Sequence, residues 1–400
     1  METYTLTTVP AELERVQQRG LMVGLAGLAV GAIGAFLQPA QFLPSWLIGF
    51  IFCLGLTLGS LALLMLHHMT GGNWGHATRR VFEAASRQLP YCALLFIPIV
   101  VMLPRLYVWA QPAAVNADEI LQHKHAYLNV PFFVARAVFY FLVWYGCAHY
   151  LTSWSDAQDR GEVGVTPADT RRFRVISAPG LAAYVLTMSL AAVDWLMSLD
   201  PHWYSTIFGF IIVSGQGLAA LSFAVAIVAL VADREPLASV IGPGHFLDLG
   251  KLMLAFVMLW AYLSFSQFLI IWAGNLPEEI PFYLERLRGG WQYVSVLILV
   301  GHFFLPFTLL LSRDLKRRPH LLARVAWFIV AIRLVDIIWL VAPNFNQDGF
   351  PVSLANIAIP VGLAGIWVYL FAGQLRRRPL VPINDPFFKE ALAHGHHAGH

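Results

Sequence analysis

The chain has 400 residues, of which 58% are hydrophobic and only 12% are charged, with a formal net charge of +3. A soluble domain of this composition would expose large apolar patches, so the composition excludes an ordinary soluble protein and indicates an integral membrane protein. The apolar segments are about 20 residues long, which fits membrane-spanning helices and excludes the shorter alternating strands of a membrane barrel.

Ten apolar segments predict an all-α integral membrane protein with about ten transmembrane helices. Each segment is long enough to cross the hydrocarbon at about 1.5 Å of rise per residue. The predicted spans are 20–38, 43–66, 90–110, 129–150, 176–199, 204–231, 247–273, 291–311, 321–342 and 353–375. They define a membrane domain over 20–375, between an N-terminal segment over 1–19 and a C-terminal tail over 376–400.

Basic residues alternate between the two sides of this predicted domain. One side carries Arg15, Arg19, Arg79, Arg80, Arg87, Arg160, Arg171, Arg172, Arg174, Arg234, Lys251, Arg313, Lys316, Arg317, Arg318, Arg324, Arg376, Arg377, Arg378 and Lys389. The other side carries only Lys124, Arg286 and Arg288. Because lysine and arginine collect in cytoplasmic loops, both termini are predicted to lie in the cytoplasm.

The connection after the second span contains a candidate surface helix. Apolar residues such as Val81 and Phe82 recur at helical spacing beside basic residues such as Arg79 and Arg80. This pattern predicts a short amphipathic helix near 76–88 that lies on the cytoplasmic surface of the membrane.

Asp194 is a carboxylate inside the fifth span. A charged side chain near the bilayer centre costs roughly 2.5–3.5 kcal/mol on insertion scales, so it has to be paired, neutralised or placed beside water. In the ninth span, Arg333 and Asp336 are three residues apart and share a helix face. If Arg333 neutralises Asp336, the partner of Asp194 is Arg105, Arg136 or a bound proton.

Helix rise and the predicted orientation place six ionisable residues in the outer half of the membrane or close to its midplane: Asp194, Arg105, Arg136, Asp336, Arg333 and His302. Two interpretations remain open for this group. It is either an ion-pair network that holds the helices in register or a proton-conducting or ligand-facing site, which intramembrane ionisable residues commonly mark. His302 is likewise either part of a proton wire, since a neutral imidazole both donates and accepts, or a hydrogen-bonded core residue.

A second group of polar residues lies near the cytoplasmic ends of the spans: His67, His68, His76, Glu83, His149, Asp248 and Lys251. These residues suit a proton uptake site, although polar residues are expected at headgroup level without such a role. Haem ligation by two histidines is a further possibility, for which His67 or His68 with His149 is the plausible pair.

Other cofactor sites are not indicated by the sequence. Cys53, Cys92 and Cys147 lie in separate apolar runs and form no CxxC pattern, which favours core packing over an iron–sulfur cluster. Gly-rich phosphate loops, metal-ligand helices and nucleophile elbows are absent from the sequence. We therefore expect no directly bound cofactor or metal, no catalytic residue and no nucleic-acid partner.

Three motifs resemble a known family. They are DWLMSLDPHWYSTIFG over 194–209, DLGKLMLAFVMLWAYLSFSQFLIIWAGNLPEE over 248–279 and GGNWG over 71–75. They look like ActF, the second large membrane subunit of bacterial alternative complex III, which is a member of the NrfD/polysulfide-reductase-like family. The similarity covers nearly the whole chain and is most specific over 248–279. The quinol-binding sister subunit of the ActC type shares this architecture and remains an alternative.

The resemblance implies ten helices, of which eight form two four-helix bundles and two flank them. It also implies that this subunit holds no redox centre of its own. Alternative complex III is a quinol:electron-acceptor oxidoreductase of the bacterial inner membrane. Its iron–sulfur and c-type haem subunits on the outer face would pass electrons from quinol or menaquinol to cytochrome c or an oxidase. The implied partners are therefore the lipid bilayer, those subunits and the sister NrfD-like subunit. Asp194 lies inside a matched motif.

We therefore expect a membrane subunit that supports assembly of a quinol-oxidising complex and carries protons. Its hypothetical proton path consists of Asp194, His302, Arg333 and Asp336. A free-standing secondary transporter is an alternative, although Pro98, Pro104 and Pro306 do not form matched helix breaks in two halves. A purely structural anchor is a third possibility, for which the ion network would be dry and fully paired.

Overall fold

All regular secondary structure in the computed structural model is helical. The structure describes residues 11–234, 237–238, 240–346, 349, 353–382 and 384–387, and no β-strand occurs among them. The predicted all-α fold class is confirmed. The first ten residues and residues 388–400 of the predicted tail lie outside the described residues.

The α-helices of the described residues are α1 (Ala11–Leu37), α2 (Phe42–Thr70), α3 (Asn73–Ser86), α4 (Leu89–Val101), α5 (Leu103–Leu106), α6 (Pro112–Ala117), α7 (Glu119–Lys124), α8 (Val130–Asp159), α9 (Arg171–Trp195), α10 (Phe208–Val231), α11 (Pro243–Gly274), α12 (Pro281–Glu285), α13 (Trp291–Ile298), α14 (Leu305–Leu311), α15 (Arg313–Arg317), α16 (Pro319–Val341) and α17 (Leu354–Arg376). Short 3₁₀ helices occur at Pro39–Gln41, Val108–Ala110, Met197–Leu199 and Ala342–Phe345, and a π-helical turn occurs at Leu299–Phe304.

Ten helical segments of the described chain are long and apolar enough to cross a membrane, which confirms the predicted number. Helices suit this environment because a backbone in hydrocarbon has to satisfy its own N–H and C=O groups. Several boundaries differ from the prediction; α8, for example, continues to Asp159, beyond the predicted end of its span at 150. The helix α1 begins at Ala11, inside the predicted N-terminal segment, and the predicted span 90–110 is divided after Val101. Pro98 and Pro104 explain the division, because each proline lacks an N–H group for the helical ladder.

Helices α2 and α10 form the centre of the protein. The apolar stretch of each is 94% buried, whereas that of α1 or α11 is only 22% buried. Both central helices are apolar on all sides, as expected for helices surrounded by other helices. They contact each other, α10 packs on α16, and α2 packs on α9 and α17. The polar groups described below are arranged around this central pair.

Helices α1 and α17 pack against each other in antiparallel orientation with their backbones in contact. A Cβ added to Gly20 would lie 2.9 Å from the backbone nitrogen of Tyr369, and one added to Gly34 would lie 2.8 Å from that of Ala355. Glycine permits such close approach between membrane helices. The start of α1 and the end of α17 therefore share one side of the membrane, which we call the terminal face. The other side is the opposite face.

Helix α3 corresponds to the predicted surface helix but is enclosed by protein. Arg79 and Arg80 are 1% and 4% exposed, and Phe82 is fully buried. The helix packs against α2, α10 and α17. It therefore does not lie on the membrane surface as predicted, because its arginines pair with carboxylates inside the protein.

Candidate functional site

Asp194 is fully buried and is held by a bidentate ion pair. It lies in the last turn of α9, near the opposite face. Arg136 of α8 donates from Nε to Oδ2 at 2.9 Å and from Nη2 to Oδ1 at 2.8 Å. Tyr140, one turn further along α8, donates its hydroxyl to Oδ2 at 2.9 Å. We call these three residues the Asp194 cluster. The carboxylate thus has the partner that its burial requires.

Aromatic rings surround the guanidinium of Arg136. Its Cζ lies 3.8 Å from the ring centroid of Tyr127 and 4.3 Å from that of Phe132. Its Nη1 donates to the carbonyl oxygen of Tyr127 at 2.9 Å. Aromatic faces and a carbonyl dipole stabilise a cation in apolar surroundings, so these contacts stabilise the charged form of Arg136 in addition to its pairing with Asp194.

Arg105, the other residue predicted as a partner of Asp194, does not contact it. The chain leaves helical geometry at Met102, and Arg105 follows in the short helix α5 with an exposed side chain. Its Nη1 lies 3.9 Å from the sulfur of Met102. Of the partners predicted for Asp194, Arg105 is therefore wrong, because the helix break at Met102 places its side chain on the surface and away from the buried carboxylate.

Arg333 and Asp336 form an ion pair along α16, in the way that their spacing predicts. Nη1 of Arg333 donates to Oδ2 of Asp336, and the two residues are 2% and 3% exposed. The guanidinium lies against Gly215 of α10, where an added Cβ would overlap its Cζ. The absence of a side chain at Gly215 therefore leaves space for a charged group between two closely packed helices.

His302 lies in the π-helical turn between α13 and α14, a kind of turn that is frequent at functional sites. Its Nδ1 is 3.8 Å from Oδ2 of Asp336, and its ring centroid is 4.0 Å from that of Trp260 on α11. Within the described part of the chain, neither ring nitrogen of His302 has a hydrogen-bond partner, and nor does Nε1 of Trp260. We call His302, Asp336, Arg333 and Trp260 the His302 cluster. Most buried polar atoms are hydrogen-bonded, so three free ones in a single cluster make it a candidate functional site.

The two clusters share no residue, so Asp194 does not pair directly with the ion pair on α16. Buried polar side chains lie on the helices between them. Tyr184 of α9 donates its hydroxyl to Oε1 of Gln216 on α10 at 2.7 Å. Gln216 directly follows the glycine that lies against Arg333. Thr187 lies between Tyr184 and Asp194 on α9 and is also buried. The helices α9 and α10 therefore place hydroxyl and amide groups between the two clusters.

Glu83, predicted for proton uptake, belongs to a closed ion-pair network on the terminal face. It accepts hydrogen bonds from Nε of Arg79 at 2.8 Å, Nη1 of Arg80 at 2.9 Å and Oγ of Ser155 at 2.7 Å. Asp385 accepts from Nη1 of Arg79 at 2.7 Å. With three donors, Glu83 joins α3 to α8 rather than lining an open channel. This network was not predicted from the sequence, although the i, i+4 and i, i+3 spacing of the arginines to Glu83 signals it.

The other residues predicted for proton uptake lie in separate places. His67 and His68 line a cavity of about 260 Å³ at the terminal face. His149 does not line this cavity and is exposed on α8, so the structure does not support a haem pair between it and those histidines. Asp248 and Lys251 form a partly exposed ion pair on α11, with Nζ 2.9 Å from Oδ1. The predicted group is therefore not a single funnel.

The two clusters have the chemistry of a polar relay inside the membrane. They combine two carboxylates, a histidine with free nitrogens and intervening hydroxyl and amide groups. No protein-family model matches this chain, and no curated protein is found to be similar to it. A functional assignment therefore depends on the chemistry of these clusters and on the motifs in the sequence.

Proposed function

We propose that this chain is a membrane subunit of a quinol-oxidising complex of the alternative complex III type. In this proposal it supports assembly and conducts protons, while partner subunits hold the iron–sulfur clusters and c-type haems and the sister NrfD-like subunit oxidises the quinol. The motifs over 71–75, 194–209 and 248–279 support the family assignment. The distribution of basic residues supports cytoplasmic termini, and the family resemblance supports a location in the bacterial inner membrane.

The observation that carries the proton role is the environment of His302. A neutral imidazole can accept a proton at one nitrogen and release one from the other, and both nitrogens of His302 are free in the described structure. The Asp336 carboxylate, 3.8 Å away, is the adjacent proton acceptor. Arg333 competes with an incoming proton for this carboxylate. Movement of the guanidinium away from Asp336 would therefore favour proton loading, and its return would favour release.

The proposed path continues from the His302 cluster to the Asp194 cluster. Gln216 and Tyr184 lie on the intervening helices and are hydrogen-bonded to each other, and their amide and hydroxyl groups can accept and donate. The hydroxyl of Thr187 accepts from Nε1 of Trp144 at 2.8 Å and donates to the carbonyl of Ala183 at 2.6 Å, so it has to exchange one of these partners to take part. Asp194 lies near the opposite face, where Arg136 of a neighbouring helix holds it by two hydrogen bonds, whereas Arg333 holds Asp336 by one hydrogen bond along the same helix. In this arrangement, two arginine-paired carboxylates flank a set of neutral polar groups.

The proton role is tested by measuring the proton-to-electron ratio of the complex in sealed vesicles. H302Q and D336N should lower this ratio to about half or less while the complex assembles and transfers electrons. S45A is the matched control, because Ser45 is also buried and donates to Asn356 at 2.7 Å but lies in neither cluster. A normal ratio in both H302Q and D336N would refute the proposed path.

The assignment to a complex is tested separately by purification from native membranes in mild detergent. We expect the chain to co-purify with polypeptides that contain c-type haem and iron–sulfur clusters, which absorption and EPR spectroscopy detect. A chain that purifies alone and transports a solute in vesicles would instead be a secondary transporter, and the proposal would be wrong.

A further inference from the structure

The cavity at the terminal face is distinct from both clusters of the proposed function. It has a volume of about 260 Å³ and lies where α2 ends and α3 begins. The start of α9 and residues 385–387 complete its walls.

The backbone at one edge of the cavity is the N-terminus of α3. Gly71 and Gly72 precede it with φ values of 69° and 96°, a left-handed conformation that favours glycine. Gly72 is the N-cap, and no side chain caps the helix. The first amide groups of a helix have no acceptor within the helix and carry the positive end of its dipole. This 14-residue helix therefore directs positive potential toward the cavity.

Three histidines at the cavity have buried nitrogen atoms without a partner in the described chain. They are Nδ1 of His67, Nε2 of His68 and Nδ1 of His76. His67 is only 4% exposed, lines the cavity and lies directly over Gly75 in the first turn of α3. The ring centroids of His67 and His76 are 5.0 Å apart. Buried polar atoms need hydrogen-bond partners, so these rings indicate a polar ligand.

The charges around the cavity favour an anion over a cation. Arg174 of α9 lines it with an exposed side chain. Arg79 is the other guanidinium in the wall, but its donors are already used by Glu83, Asp385, Ser155 and Gln158, so Arg174 is the cation that faces a ligand. The carboxylate in the wall, Asp385, already accepts from Arg79 at 2.7 Å. No group of three or more histidine, cysteine or acidic residues in the described chain has the geometry to hold a metal ion. The histidines are therefore better suited to donate to an anion than to ligate a metal.

We propose that this cavity binds a phosphate group. The tetrahedral oxygens of phosphate accept hydrogen bonds from helix N-terminal amides, an arginine and neutral imidazoles at the same time. The position at one end of the membrane helices makes the headgroup of a phospholipid one source of this group. A soluble phosphorylated molecule is the other source, and it would present the same oxygens.

The test uses the full chain, purified in detergent and stripped of lipid. Inorganic phosphate is titrated against sodium chloride of equal ionic strength, and binding is followed from the thermal unfolding midpoint. R174Q should weaken phosphate binding about tenfold, because it removes one charge-assisted hydrogen bond. R171Q is the matched control, since Arg171 is exposed on the same first turn of α9 but does not line the cavity. We expect it to bind within about twofold of the unchanged protein.

A second arm identifies the source of the phosphate. Native mass spectrometry compares retention of phosphatidic acid with that of diacylglycerol of the same acyl chains. If the unchanged protein retains phosphatidic acid and R174Q does not, the phosphate group belongs to a lipid headgroup. If the protein binds inorganic phosphate but does not retain phosphatidic acid, the ligand is a soluble molecule. H67F preserves the ring volume and should also weaken binding several-fold. Absence of binding by either probe, or equal losses in R174Q and R171Q, would overturn the proposal.

Discussion

The Asp194–Arg136 ion pair should contribute strongly to the stability of the fold. A double-mutant cycle should show that the two residues are strongly coupled in their effect on the free energy of unfolding. In R136L, the fully buried carboxylate keeps only the hydroxyl of Tyr140 as a donor. Removal of one partner from a buried ion pair costs about 3–5 kcal/mol. The contacts of the guanidinium with two aromatic rings, 3.8 and 4.3 Å from their centroids, add about 1 kcal/mol to the loss. We therefore expect R136L to destabilise the protein by about 4–6 kcal/mol.

D194N should cost less than R136L. The amide occupies nearly the same space as the carboxylate, and Arg136 retains its hydrogen bond to the carbonyl of Tyr127. A loss of about 1–3 kcal/mol is expected for the weakened hydrogen bonds. The double variant should be less destabilised than the sum of the single variants by about 2 kcal/mol, because the second change removes the uncompensated negative charge.

Unfolding in mixed detergent micelles measures the free energies of this double-mutant cycle. The control cycle uses R160Q and E162Q, a pair at 2.7 Å whose side chains are 59% and 55% exposed. Its coupling energy should be much smaller because solvent and headgroups screen it. If the Asp194–Arg136 cycle were no more strongly coupled than this control, the argument from burial would fail.

Two further predictions concern packing and the terminal face. G215A should destabilise the protein by about 1–3 kcal/mol, because the added Cβ overlaps the Arg333 guanidinium. G146A should stabilise it by up to about 1 kcal/mol, because the added Cβ meets nothing within 4 Å and alanine has a higher helix propensity than glycine. Thermal unfolding in detergent measures both, and a loss in G146A equal to that in G215A would contradict the steric argument. E83Q should cost about 3–5 kcal/mol because two buried arginines lose their shared carboxylate. E162Q, in a pair more than half exposed, should cost under about 1 kcal/mol, and equal losses in chemical unfolding would refute the distinction.

Hydropathy was sufficient to predict the ten spans because only helices and closed barrels satisfy the backbone in lipid, and apolar segments of about 20 residues fit helices alone. It was less informative about boundaries. Glu12 and Arg15 continue α1 beyond the apolar stretch, since helical hydrogen bonding does not stop where hydrophobic residues stop. Helix α3 was misplaced for a related reason. An amphipathic pattern is compatible with a membrane surface and equally with an interior in which arginines meet carboxylates from another helix.

Side-chain partners were predictable only where they are local. Arg333 and Asp336 share one helix, so their spacing was sufficient to predict the pair. Arg136 was one of several possible partners for Asp194, because the choice depends on how α8 packs against α9. Near His302, Pro306 signals irregular helical geometry, because it has no N–H group to donate to the carbonyl of His302 four residues earlier. The π-helical form of the turn at Leu299–Phe304 was not predictable from that proline.

The close packing of α1 on α17 has a consequence for biogenesis. During synthesis, α1 leaves the ribosome long before α17 exists, so its glycine-rich side has to face lipid in the nascent chain. The apolar stretch of α1 is only 22% buried in the folded protein, so most of its surface is suited to contact with lipid. The helix can therefore be stable in the membrane before α17 is synthesised. The bundle is therefore closed by the docking of a late helix onto an early one that was inserted without its partner.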